Sequence, residues 1–282
     1  MTRKSEPNMR PFKRILVALD ASSQSEGALQ YGVFLANQMQ AQLTGIFVED
    51  INLLRLSQLP FASEIRFAIR QTTRLDEVNM AQQLQLQAIR VRETVHRASK
   101  QHNLDWTFQV ARGQVAAELL QAAAAADLLI LGQTSRQLIA SAHIGKTAQT
   151  AVSQEPGSVL ITHSRANPDQ PILLIYDGSA AADEALLLSF TLAKRNGRLH
   201  ILALSPDDET TYSFKNQILQ QADDRRLALT MHTYHSPEKL TGLIRQFNIG
   251  LVIISSRTTL PEATLQTLLT APDFAVLILK PA

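Results

Sequence analysis

The chain has 282 residues, 45% of them hydrophobic, and no cysteine. At roughly 150 residues per domain that length predicts two domains, each large enough to bury a core. Its 27 basic and 25 acidic residues leave a formal charge of +2, which excludes recognition of nucleic acid or anionic membranes by bulk electrostatics. The missing cysteines exclude disulfides, thiolate metal sites and cysteine nucleophiles, and they fit a cytoplasmic protein. The opening segment Met1 to Arg14 is charged and lacks the apolar region of a secretory signal. No stretch approaches the roughly 20 apolar residues of a membrane span.

The first predicted strand lies in Ile15 to Ser22 (ILVALDAS), an apolar run ending in Asp, a small residue and Ser. Unbroken apolar runs suit strands covered on both faces, and the Asp and Ser supply the cap of the helix that follows. A second strand is predicted over Leu43 to Val48, then an inserted segment, Asn52 to Arg74. In that segment Arg66, Arg70 and Arg74 recur every four residues, as a basic stripe on one helical face would. Such a stripe reads as a solvated face, a lid over a ligand or a docking surface. A long helix over Asp76 to His102 carries Met80, Leu84, Val91, Val95 and Ala98 on its core side. Next come a strand at Trp106 to Ala111, a helix at Val115 to Ala126, a strand at Asp127 to Gly132, a helix at Lys146 to Ser153 and a strand at Ser158 to Thr162.

After the polar, proline-containing stretch Ser164 to Gln170 the series starts again. Ile172 to Ser179 (ILLIYDGS) repeats ILVALDAS, and Ala185, Leu186 and Ala193 fall on Ala28, Leu29 and Ala36. Leu199 to Leu204 answers the second strand, Ala228 to Tyr234 and Leu240 to Phe247 the middle strand and helix, Gly250 to Ser255 the fourth strand, and Ala275 to Leu279 the last. Strands alternating with helices predict an α/β fold: two tandem domains, each an open five-stranded parallel sheet with helices on both faces. The expected division is 1–163 for the first domain, 164–170 for the linker and 171–282 for the second. Ligands of such sheets bind at the carboxyl ends of the strands, where the strand order switches.

A strand ending in Asp-x-Ser, and near the domain end a strand-Gly followed by a glycine loop and a short helix, resemble the universal stress protein family over nearly all of both halves. Members that bind ATP carry Gly-x2-Gly-x9-Gly-(Ser/Thr) after the fourth strand. Here Gly132 matches the first position, Ser135 replaces the second glycine, and the nine-residue spacer Arg136 to Ile144 is intact. Gly145 matches, while Lys146 stands in the Ser/Thr place with Thr147 one position late. A glycine at a strand end admits ribose and phosphate to the backbone, and one at a helix start exposes amide N–H groups to phosphate. The Ser135 hydroxyl and the Lys146 cation are compatible with an anion there.

The resemblance implies that Asp20 faces ribose or a magnesium-phosphate group and that Val48 bonds adenine through its backbone. Alternatively, Asp20 caps the first helix and Val48 is one more buried strand residue. Ala140 stands where a P-loop needs glycine five places before Gly145, which excludes that motif. The second half keeps Asp177, Gly178 and Ser179, but its connection from Ser255 to Pro272 spans 17 residues and holds no glycine, against 24 from Gly132 to Pro156.

The resemblance therefore implies a non-enzymatic stress-response regulator that takes ATP or a related adenine nucleotide, with Mg²⁺, in its first domain only. The alternative is an interaction protein of the same family that acts through protein partners without nucleotide. The resemblance also implies that the second domain packs on the first through last strands, with Val159 to Ile161 and Val276 to Leu279 as the edges, and association into a homodimer stays open. Among the seven histidines, His232 and His235 are predicted on opposite faces of a strand, a poor pair of metal ligands, and His143 falls within the candidate phosphate loop.

Overall fold

The computed structural model describes residues 12–20, 22–58, 63–66, 71–74, 77–132, 157–163, 165–194, 197–205, 207–222, 227–234, 236–271 and 273–281. The first half runs β1 (Arg14–Ala18), α1 (Ser23–Met39), β2 (Gln42–Asp50), α2 (Ile51–Ser57), β3 (Ser63–Arg66), β4 (Gln71–Arg74), α3 (Glu77–Gln101), β5 (Trp106–Gly113), α4 (Val115–Ala123), β6 (Leu128–Gly132) and β7 (Ser158–Thr162). The second runs β8 (Ile172–Tyr176), α5 (Ala180–Ala193), β9 (Arg198–Ala203), α6 (Asp208–Ala222), β10 (Ala228–Thr233), α7 (Pro237–Gln246), β11 (Leu251–Ser255), α8 (Glu262–Thr270) and β12 (Ala275–Leu279).

Ten strands form one sheet in the order β10-β9-β8-β11-β12-β7-β6-β1-β2-β5. Within each half the neighbours are parallel, as the βαβ connections require. At the centre β7 meets β12 antiparallel, with Ile161, Leu160 and Val159 opposite Val276, Leu277 and Ile278. Every residue of these two strands is buried. Fully burying each Val, Leu or Ile contributes about 1.5–3 kcal/mol. The expected pairing through last strands is thus the seam of the molecule.

Both apolar layers cross that seam. One joins α1 and α3 to α5 and α6, and the other joins α4 to α7 and α8. The Tyr31 hydroxyl of α1 donates to the Gly250 carbonyl just ahead of β11 at 2.7 Å. Burial, with the nearby Asp169 charge, pushes that phenol upward in pKa, so it keeps its proton and stays a donor. Because the central pairing is antiparallel, the strands of the two halves point their carboxyl ends in opposite directions.

The inserted segment differs from its expected form. α2 ends at Ser57, and Ser63–Arg66 and Gln71–Arg74 pair as an antiparallel hairpin, Arg66 against Gln71 and Arg74 against Ser63. A strand repeats every two residues rather than every 3.6, so Arg66 and Arg74, each on a strand of the hairpin, build no helical stripe. The residues Thr72 and Thr73 next to it favour the extended chain; Arg70 lies outside the described residues. The long helix does form, at Glu77–Gln101, with Leu84, Val91 and Val95 buried. Replacing Leu160, fully buried at the seam, by alanine is expected to cost about 2–5 kcal/mol. Leu219→Ala, at a half-exposed site, should stay within about 0.5 kcal/mol. Urea unfolding midpoints of both variants check the contrast.

Candidate functional site

In the first half the strand order switches between β6 and β2 around β1, so the crevice to consider lies beyond the carboxyl ends of β1, β2 and β6. Gly132 is the last residue of β6 and buried, opposite Thr162 of β7. Asp20 follows β1 and is partly buried. Its Oδ1 accepts from the Ser22 backbone N–H at 3.2 Å and from the Ser22 hydroxyl. The Ser25 hydroxyl donates to the Asp20 carbonyl, and at 2.8 Å to the carbonyl of Ser22, the N-cap residue of α1. Asp20 therefore holds the turn that leads into α1, at the carboxyl end of β1.

Val48 is not the end of its strand. β2 runs on to Asp50, whose Oδ1 accepts from the Asn52 N–H at 2.8 Å and caps α2. The Ile46 carbonyl accepts from Leu19, so alternate residues of β2 turn their polar backbone toward β1. Val48 is the next of these, two places beyond Ile46 and past the last β1 residue in register, Ala18. Its N–H and carbonyl thus face the crevice side of the strand while its side chain packs on the apolar layer beneath α4. Ser135, His143, Gly145, Lys146, Thr147 and the helix expected at Lys146 to Ser153 lie outside the described residues.

One charged pair beside this place has no local sequence signal. Glu49 on β2 is buried and sits in register with Arg112 on β5. The guanidinium donates to its Oε2 from Nε at 2.7 Å and from the Nη2 end at 2.6 Å. Glu49 and Arg112 are 63 positions apart, so only the strand register brings them together.

The corresponding place in the second half is filled by the chain itself. Asp177 keeps the turn, accepting from the Ser179 N–H at 3.1 Å, and Ser179 caps α5 by accepting from Ala182 at 3.1 Å. The other oxygen of Asp177 accepts from the Thr259 N–H at 3.1 Å, which pins the shortened connection after β11 across the strand ends. From the other side, Phe214 of α6 stands edge-on to Tyr176 with centroids 5.2 Å apart. Gly178, at φ +75°, has no room for a side chain, since a Cβ there would meet the Phe214 ring at 2.3 Å. The Tyr176 hydroxyl donates to Asp183 at 2.7 Å, and Gln217 donates to the same carboxylate. Losing the Thr259 anchor through Asp177→Ala should lower stability by about 1–3 kcal/mol. Denaturant unfolding of the variant beside the wild type checks that loss.

The family model of the universal stress protein family matches residues 11–163. A comparison with curated proteins finds no match. Among solved structures, a universal stress protein from Archaeoglobus fulgidus DSM 4304 superposes with a TM-score of 0.68 at 15% identity, covering 95% of this chain and 96% of its own. A Pseudomonas aeruginosa UCBPP-PA14 protein assigned to the same family superposes with a TM-score of 0.57 at 16% identity, covering 98% of this chain and 95% of its own. At these identities the two structures speak for the fold, which they share over almost the whole chain. The family-model match spans more than half of the sequence, and the chain belongs to the universal stress protein family.

Proposed function

We propose that this family member is a cytoplasmic stress-response regulator that binds ATP or a related adenine nucleotide in its first half only and acts by binding rather than by turnover. One observation carries the reading. Asp20, Gly132 and the β1-facing backbone of Val48 stand at the carboxyl ends of adjacent strands in the first half, whereas Thr259 and Phe214 close the same place in the second. No helix among the described residues is long and apolar enough to cross a membrane.

Each group suits a part of the ligand. The N–H and carbonyl of Val48 offer one donor and one acceptor in line, the complement of an adenine edge. Gly132 lets a sugar approach the strand end without meeting a Cβ. Asp20 is an acceptor for ribose hydroxyls or a ligand for Mg²⁺, a cation commonly held by one or two carboxylates plus substrate phosphates. Ser135, Gly145, Lys146 and Thr147 complete the phosphate side in this reading, on the strength of their spacing. The internal β7–β12 pairing also supports a chain that needs no second copy to cover its last strand.

Calorimetry with Mg-ATP checks the proposal. The wild-type chain should give saturable heat, Asp20→Asn should weaken binding by about tenfold, and Gly132→Val should abolish it while leaving the unfolding midpoint in place. No saturable heat from the wild type at millimolar nucleotide contradicts it.

A further inference from the structure

At the outer edge of the second half, His200 on β9 and His232 on β10 come together on the face covered by α7. Their Nδ1 and Nε2 atoms are 3.1 Å apart, the ring planes differ by 10°, and the centroids are 5.4 Å apart. The centroid separation is the nitrogen separation plus one ring radius at each end. The imidazoles therefore meet edge to edge, nearly coplanar, in a linear N–H···N bond. Phe247, just past α7, covers both, with centroids at 4.6 and 5.1 Å. His200 is 6% exposed, and His232 borders a cavity of about 560 Å³ between β10 and α7.

Two cations among the described residues stand near the pair. Arg198 acts on His200 from β9, and Lys239 on α7 lines the cavity beside His232. Among the described residues no carboxylate lines that cavity. A linear bond between two neutral rings needs one donor and one acceptor. A first proton can enter on an outer nitrogen and leave the bridge intact, but a second makes both facing nitrogens donors and breaks it.

We propose that His200 and His232 form an acid-sensing clasp whose double protonation releases β10 and α7 from the edge of the sheet. β10 is one of the two terminal strands of the sheet and pairs there with β9 alone, so it can open while the strands further in stay paired. Burial lowers the pKa of both rings, with His232 and Arg198 adding to the effect at His200. With native values below the unfolded one, stability from the neutral pair is present above the ordinary histidine value near 6.5 and is lost as pH falls through the native values. Acidity is then a signal this chain reads in its second half, independently of any nucleotide in the first.

The test follows the histidine ring resonances of the full chain, and the backbone amide exchange of β10 and α7 corrected for intrinsic rate, between about pH 7.5 and 5. His200 and His232 should titrate together in two steps, below the ordinary histidine value near 6.5. Protection of β10 and α7 should fall about tenfold per pH unit once titration begins, with β1 and β2 unchanged. His232→Gln, which keeps a hydrogen-bonding group but does not titrate, should flatten that dependence. Independent titration of both rings at the ordinary midpoint, or protection that is unchanged by acid, overturns the proposal. The same acid loss in His232→Gln also overturns it, and if that variant does not fold the wild-type ring titration decides.

Discussion

The antiparallel pairing of β7 with β12 is the constraint on which the rest of this molecule depends. Each half taken alone would end in a largely apolar strand with one unpaired edge, a template for aggregation. Joined, the two edges satisfy each other, and both apolar layers continue from one half into the other. The contacts that flank the pairing act in the same direction: the Lys280 N–H donates to the Ser158 hydroxyl at 3.1 Å, and Tyr31 reaches Gly250. The linker has only to carry the chain from β7 to β8, and its composition accords with that.

The same pairing sets what each half can do. Opposed carboxyl ends keep the two crevices apart, so neither half can complete the other's site, and each has been free to change alone. In the first half the strand ends hold polar groups whose side-chain contacts serve the local turn. In the second the homologous aspartate is engaged by Thr259, and an aromatic ring lies against the glycine beside it. The strand ends of the second half are tied by internal contacts, which explains how a shortened loop is compatible with a well-packed sheet.

The fold was legible in the sequence because its signals are local and repeated. ILVALDAS and ILLIYDGS each announce a doubly covered strand and a helix cap, and Ser22 and Ser179 occupy those cap positions. The pairing edges could be named because the family resemblance implies pairing through last strands, and the apolar runs at Val159 to Ile161 and Val276 to Leu279 mark those strands. The insertion misled because a four-residue spacing of arginines is only as informative as the assumption that its backbone is helical. What stayed hidden depends on register between distant strands. Glu49 meets Arg112, Asp177 meets Thr259 and His200 meets His232 across 63, 82 and 32 positions. His232 was weighed against its sequence neighbour His235, but the partner that matters sits on the adjacent strand, where alternation places His200 on the same face. Of the candidate site, the strand-end residues could be located, while the phosphate loop was readable only as a spacing.

The central claim is that two copies of one fold have become one binding half and one closed half. Native mass spectrometry of the freshly prepared chain in Mg-ATP counts nucleotides per chain directly. The account predicts one. Two per chain would show that Thr259 and Phe214 do not close the second crevice, and none would remove the binding half altogether.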